Sequence, residues 1–191
     1  MNRTRLTQFL AVMVFALVFA AVPARAQYEG SKPSKEDKSG TNPLNLQNQV
    51  SFYNEFKELP DDGGYANYMV ARYWYPFNDQ TNLVLKLPVV STDVTGEQET
   101  GFGDAELRWN WIPYMSQKFG LVLGAEFFFD TATEDSVGTG KHAAAPLVVG
   151  VFMFPSGLLF APAYEYKFSC AGDDDRQDIS MSLIDLFTWY T

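Results

Sequence analysis

The sequence is poor in the residues on which most metal and thiol chemistry depends. Its 191 residues include one cysteine, Cys170, and one histidine, His142. A lone cysteine cannot form a disulfide within the chain, and these two residues supply few of the ligands that zinc or haem iron usually takes. We therefore expect a fold that holds without a disulfide, and a protein without a cofactor or a metal site.

Basic residues are also scarce. The chain has 14 lysines and arginines against 23 aspartates and glutamates, which gives a formal charge of −9. Proteins that bind nucleic acids neutralise phosphates with basic patches. The composition therefore predicts no nucleic-acid partner.

No apolar run is long enough to cross a bilayer as a helix. The longest one extends from Phe9 to Val22, whereas a spanning helix needs about 20 apolar residues. Arg3 and Arg5 precede it, and Ala24-Arg25-Ala26 follows it as a small-x-small cleavage site. This pattern predicts a cleaved signal peptide over residues 1–26 and export across the inner membrane; the alternative is an ordinary buried helix.

The next segment, residues 27–45, is polar and has no periodicity, which is typical of a flexible periplasmic N-terminal segment. From residue 46 onward, apolar and polar residues alternate. The pattern is clearest in residues 101–113, where Asp104, Glu106, Arg108 and Asn110 alternate with Ala105, Leu107, Trp109 and Trp111. Because successive side chains of a strand point to opposite faces, this stretch predicts a strand with one charged and one aromatic face.

Eight such strands are predicted, over residues 46–57, 65–75, 81–91, 101–111, 119–130, 142–154, 158–169 and 177–190. These strands are about 10–14 residues long. That is near the length of a tilted membrane-spanning strand, and it exceeds the roughly 5–6 residues usual in globular proteins. Every second connection is longer and acidic, and the others are short and contain Pro76, Pro113 or Pro155. Aromatic residues gather at the strand ends, as in the aromatic belts of outer-membrane proteins. The predicted fold is an all-β transmembrane antiparallel up-and-down β-barrel over residues 46–191.

The last predicted strand fits this barrel least well. A charge at mid-depth on a lipid face costs about 2–4 kcal/mol, and one face of the other strands is nearly uncharged. In the last strand, Asp185 shares a face with Ile179, Met181, Leu183 and Phe187. We therefore expect this strand not to close an eight-stranded barrel against residues 46–57, and the barrel to be part of a larger one.

Nine charged residues on the opposite faces are candidates to line the lumen: Glu55, Arg72, Lys86, Asp104, Glu106, Arg108, Glu126, Glu165 and Lys167. They could form a mixed-charge pathway that sets the selectivity for solutes. They could equally pair across a narrow interior and only satisfy one another.

Other chemistry has weaker support. The acidic loop residues lack a complete calcium-loop spacing, and Gly138-Thr-Gly-Lys141 lacks the full phosphate-loop pattern. His142 could act with Ser136 or Ser169 in a lipid-modifying outer-membrane enzyme, although no serine stands beside it in sequence. A purely structural surface barrel is a third alternative. We expect no enzyme activity.

Several motifs resemble one family. They are Thr131-Ala-Thr-Glu-Asp-Ser-Val-Gly-Thr-Gly-Lys141, Ala145-Pro146, Ala171-Gly-Asp-Asp-Asp-Arg176, Thr41-Asn-Pro-Leu44 and Gly101-Phe-Gly-Asp104. From about Thr41 onward, the chain is similar to proteobacterial outer-membrane barrel proteins labelled as transporters and grouped with proteins of the meta-pathway of phenol degradation.

The resemblance implies an outer-membrane location and passage of small compounds, aromatic or hydrophobic ones among them. The implied partners are outer-membrane lipid and lipopolysaccharide, the barrel-insertion machinery and a small solute. The chain departs from the family at Cys170, where an aromatic residue is usual. Relatives also continue for several strands past the position of Thr191, so the resemblance predicts an incomplete barrel.

Overall fold

The computed structural model describes residues 43–44, 46–59 and 64–190. The predicted signal peptide, residues 1–26, and most of the predicted N-terminal segment, residues 27–45, lie outside the described residues. In the part of the chain that is described, no helix is long and apolar enough to cross a membrane.

The described residues form one antiparallel sheet. Its strands are β1 (Gln49–Glu58), β2 (Tyr65–Asn78), β3 (Thr81–Thr92), β4 (Glu99–Phe102), β5 (Glu106–Met115), β6 (Phe119–Phe128), β7 (Lys141–Met153), β8 (Leu158–Gly172) and β9 (Ser180–Tyr190). The spatial order is β1-β2-β3-β5-β6-β7-β8-β9, and the short β4 pairs with β3 off this path. Consecutive strands of the path pair up and down, and the sheet curls into a half-barrel, which confirms the predicted fold class as a partial barrel.

One predicted strand is divided in two. The predicted strand over residues 101–111 corresponds to the end of β4 and most of β5, which are separated by Gly103, Asp104 and Ala105. Both pieces pair with β3. Between them, the N–H of Gly103 still donates to the carbonyl of Pro88 at 3.0 Å. The interruption lets the Asp104 side chain leave the ladder and bind a loop, as described below.

The prediction that this strand ends at residue 111, with Pro113 in the following connection, is wrong. Residues 112–115 continue β5, and the register against β6 shifts between Trp111 and Tyr114. Pro113 lies in this irregularity. Proline has no N–H to donate to a ladder, so a β-bulge is one of the few places where a strand accepts it. The turn itself occupies residues 116–118, where the Ser116 hydroxyl donates to the Phe119 carbonyl at 3.0 Å.

The register places the charges on one face of the sheet. Side chains directly opposite each other on paired strands share a face, and Arg72 lies opposite Lys86, which lies opposite Glu106. Followed across all the pairings, this face receives every charged residue of the strands except Glu58 at the end of β1. It is the concave face of the half-barrel.

Asp185 is among these concave charges, so the predicted facing of the last strand is wrong. Asp185 lies opposite Ala163, two residues from Glu165 on the concave face. The convex face of β9 instead carries Ser180, Ser182, Ile184, Leu186, Thr188 and Tyr190. Because two of these residues are serines, the sequence pattern does not mark this face as the apolar one. The hydroxyls of Ser180 and Ser182 hydrogen-bond the hydroxyls of Tyr166 and Tyr164 on β8 at 2.9 and 3.1 Å.

Two small cores lie at opposite ends of the concave side. At the end with the short connections, residues 79–80, 116–118 and 154–157, a cluster forms from Leu44, Ile112, Met115, Val122, Val151, Leu159 and Ala161. Leu44 comes from the chain before β1 and covers Gly120, where a Cβ would lie 2.6 Å from its Cδ1. At the other end, Phe128, Ala143 and Ala145 form the second cluster.

Two glycines of the sheet provide a matched test of its packing. A Cβ on Gly124 would lie 2.7 Å from the carbonyl oxygen of Trp109, whereas the nearest atom to a Cβ on Gly150 would be 3.4 Å away. We expect Gly124→Ala to lower the free energy of unfolding by about 1–3 kcal/mol, because backbone must move. Gly150→Ala should change it by less than about 0.5 kcal/mol. Urea unfolding followed by tryptophan fluorescence measures both, and equal effects would contradict the register of β5 and β6.

Candidate functional site

Two of the spaces on the concave side of the sheet are formed by described residues. The first, here called the short-turn groove, has a volume of about 400 Å³, and Arg72, Trp74, Asn82, Arg108, Phe187 and Trp189 are among the residues that line it. The second, the long-loop cavity, has a volume of about 250 Å³, and its lining includes Tyr53, Glu55, Tyr68, Asp104, Glu106 and Lys167. Each space lies near one end of the strands.

An ion-pair layer separates the two spaces. Lys86 Nζ lies 2.8 Å from Glu106 Oε2 and 2.8 Å from Glu126 Oε1. The guanidinium of Arg108 contacts Glu126 Oε2 and lies 3.3 Å from Glu165 Oε2. The layer thus joins β3, β5, β6 and β8. On one side, the short-turn groove is lined by Lys86, Arg108 and Glu165 of this layer. On the other side, the long-loop cavity is lined by Glu106.

Glu126 is the centre of the ion-pair layer. Its side chain is 1% exposed, and it meets both cations of the layer. A buried carboxylate without partners would carry a large desolvation cost, so the two cations are required for it to stay ionised. The next concave residue beside it, on β7, is the fully buried Ala145, whose small side chain lets Arg108 reach Glu165 on β8.

Of the nine predicted lumen residues, five form this layer, and the other four make separate contacts. Glu55 pairs with Lys57 at 3.2 Å, with both side chains half-exposed. The Arg72 guanidinium lies over aromatic rings, and Lys167 Nζ lies 3.3 Å from the centroid of the Phe128 ring. Asp104, the ninth, binds a loop.

Asp104 anchors the connection between β6 and β7. Its Oδ1 accepts hydrogen bonds from the N–H groups of Thr131 and Ala132, and its Oδ2 accepts from both the N–H and the hydroxyl of Thr139 at 2.8 Å. This brings Val137, which is 6% exposed, into the long-loop cavity. The loop therefore folds inward over the concave side.

Sequence reasoning missed several polar and aromatic residues of the site. Asn110 Nδ2 donates to Asn82 Oδ1 at 2.9 Å in the short-turn groove. Trp74 and Trp189 also line this groove. The sequence signal for these residues is their spacing along the strands. Trp74 is two residues from Arg72, and Asn82 is four residues from Lys86. Two-residue steps along a strand return to the same face.

The residues proposed for other chemistry are engaged elsewhere. His142 Nδ1 accepts the N–H of Asp130 at 3.2 Å, and among the described residues it bonds to neither candidate serine. Ser169 donates to Asp178 Oδ1 at 3.1 Å. Lys141 binds the same carboxylate at 3.2 Å, and these hydrogen bonds, first from Lys141 and then from Ser169, lower the pKa of Asp178. Within the described residues, no three side chains from His, Cys, Asp and Glu come together as a metal site.

Comparisons with protein-family models, with curated proteins and with solved structures found no match. The family resemblance therefore stays a prediction from the motifs. Indications of function come from the residues on the two faces of the sheet.

Glu126 and Glu55 provide a matched pair of substitutions on the concave face. Glu126→Gln removes the shared carboxylate of Lys86 and Arg108, and breaking a buried pair of this kind costs about 3–5 kcal/mol. Glu55→Gln breaks an exposed pair, which is worth about 1 kcal/mol or less. Chemical unfolding should show this difference. Similar, small losses in both variants would mean that the ion-pair layer does not hold the sheet together.

Proposed function

We propose that this sheet is part of an outer-membrane β-barrel that forms a channel for small molecules, aromatic or hydrophobic ones among them. The observation that carries the proposal is the sorting of charge between the two faces of the sheet. The proposal is supported in turn by the convex face, by the strand ends and by the concave face.

The convex face is mostly apolar, and many of its large apolar side chains are exposed. Phe52, Met69, Ile184 and Leu186 are 74%, 60%, 73% and 67% exposed. Among the described strand residues, its one charged side chain is Glu58, at the end of β1. A mostly apolar surface over eight strands is unfavourable in water, whereas the lipid-facing side of a barrel must be free of charge at mid-depth.

Exposed aromatic residues mark both ends of the convex face. Tyr75, Phe77, Tyr114, Phe152 and Phe154 lie near the short connections, and Phe102, Phe127 and Phe129 lie near the long ones. Outer-membrane barrels carry girdles of aromatic side chains at both membrane–water interfaces, and the hydroxyls of Tyr75 and Tyr114 can stay near water while their rings are buried. Their distribution supports a membrane with its normal along the strands.

The concave face supports a pathway with a constriction. A solute that enters through the long-loop cavity has to pass the ion-pair layer before it reaches the short-turn groove. Charged side chains around a pore select solutes by charge, whereas the aromatic walls of the groove, Trp74, Phe187 and Trp189, suit flat apolar groups. The layer would thus act as the selectivity element.

A channel of this kind needs both edges of the half-barrel to be paired. Among the described residues, β1 and β9 each pair on one side alone. An unsatisfied backbone group costs several kcal/mol in lipid, so an open edge is not tolerated there. The path has an even number of strands, so β1 and β9 run antiparallel to each other. Strands from a longer chain, or a second copy, can therefore close the barrel with antiparallel pairing throughout.

The proposal can be tested in a Gram-negative host that lacks its major porins. A second copy can pair both edges of the half-barrel, so we expect the expressed chain to appear in the outer-membrane fraction and to speed the entry of a small chromogenic aromatic solute that a periplasmic enzyme hydrolyses. Leu107→Arg puts a charge on the convex face, at a cost of about 2–4 kcal/mol, and should remove the protein from the membrane and abolish entry.

Two controls accompany this test. Leu107→Met conserves volume and should behave as the unchanged protein, and Glu106→Gln alters the concave face and should still insert. Recovery of the chain as a soluble periplasmic protein would contradict the proposed location. Insertion without faster entry of the solute would contradict the proposed channel.

A further inference from the structure

We propose that Arg72 is the centre of a binding site for small organic anions, in which its guanidinium receives the carboxylate of a solute with a flat apolar body. The site lies in the short-turn groove. This inference deepens the proposed function, on which it rests for its biological meaning, by naming the class of solute.

Arg72 is held in place by aromatic rings. Its guanidinium carbon lies 4.0 Å from the centroid of the Trp74 ring and 5.1 Å from that of Tyr53. Such contacts orient the guanidinium, but they neither cancel its charge nor accept its N–H groups in the way a carboxylate does. Its Nε is buried and, among the described residues, has no hydrogen-bond acceptor.

The other cations of the groove are different. Lys86 is bound by Glu106 and Glu126, and Arg108 is bound by Glu126 and Glu165. Arg72 forms no ion pair with any described residue. Arg72 is half-buried, and its Nε is shielded from water without meeting an acceptor, so its guanidinium favours an external anion in the groove.

The groups around Arg72 are also donors. Ser51 stands directly opposite it on β1, and the Ser51 hydroxyl is buried without a partner in the described part of the chain. On the far wall of the groove, the indole N–H of Trp189 is likewise buried without a hydrogen-bond partner among the described residues. Arg72 and Trp189 line the groove, and Ser51 adjoins Arg72 on β1. None of the three donors meets an acceptor among the described residues, and the pair at Arg72 favours a ligand that places an acceptor group there.

The rest of the groove suits the body of the ligand. Its volume of about 400 Å³ lies within the range of small-molecule sites, and Ala161, Ala163 and Phe187 provide apolar walls. Asp185 lies on the same far wall, where its negative charge would repel a carboxylate. A bound anion is therefore oriented with its carboxylate toward Arg72 and its apolar body toward β8 and β9.

Benzoate and its neutral analogue benzamide test this inference, because they share a shape and differ in charge. Equilibrium dialysis would measure the binding of each to the purified chain folded in detergent micelles. We expect saturable binding of benzoate, with benzamide weaker by about tenfold or more, because the charge-assisted hydrogen bonds are lost. Arg72→Gln should weaken benzoate binding by a similar factor and leave benzamide binding unchanged.

Lys57→Gln is the matched control for Arg72→Gln. It removes one positive charge from the concave face at the long-loop cavity, so benzoate binding should change by less than about twofold.

A second pair of variants leaves Arg72 in place and so remains informative if Arg72→Gln does not fold. Ser51→Glu sets a carboxylate directly opposite Arg72, about 5 Å away between Cβ atoms, where it should compete with benzoate and abolish its binding. Ser51→Gln adds similar bulk without charge and should retain binding.

Absence of saturable benzoate binding, equal binding of benzamide, or unchanged binding in both Arg72→Gln and Ser51→Glu would overturn the inference. Because dialysis in micelles involves no transport, it separates this site from the channel. Benzoate binding in a protein that admits no solute would reject the proposed function and keep the site. Solute entry without benzoate binding would do the reverse.

Discussion

The structure depends on one constraint, which is that every strand charge except Glu58 lies on a single face and has to be accommodated there. Strand pleating assigns alternate residues to opposite faces, and the register carries this assignment from β1 to β9. On the concave face the charges crowd, and Glu126, almost fully buried, brings Lys86 and Arg108 together. The convex face carries no strand charge other than Glu58 at the end of β1. Both the proposed lipid contact and the proposed pathway follow from this separation.

Much of the fold could be predicted from alternation alone, because a period of two is a property of the local sequence. It identified the strands and the concave position of all five residues of the ion-pair layer. It failed where local pattern and tertiary position diverge. Pro113 resembles a turn residue, yet it occupies a bulge within β5. In β9, serines lie on the convex face and apolar residues on the concave one, so Asp185 was assigned to the wrong side.

Pairing between side chains was beyond sequence reasoning, because it depends on which strands become neighbours. Nine candidate charges could be named, but not that five of them would form one ion-pair layer or that Asp104 would anchor a loop. The contrast between Lys86, with two carboxylate partners, and Arg72, held by Trp74, also emerges only in three dimensions. The carboxylates and cations of the layer pair with one another, whereas Arg72 forms no ion pair with any described residue. The proposed solute site rests on this difference.

The central claim, that the two faces of the sheet meet different environments, is tested most directly by site-directed spin labelling of β3 in lipid vesicles. Cys170 would first be replaced by serine, and single labelled cysteines then placed at Leu83, Val84, Leu85, Leu87 and Val90. Collision rates with oxygen, which concentrates in lipid, and with a water-soluble nickel chelate report the surroundings of each label. The account predicts high oxygen and low nickel collision rates at positions 83, 85 and 87, and the absence of this lipid signature at 84 and 90. Rates that do not alternate, or frequent nickel collisions at 85 and 87, would contradict it.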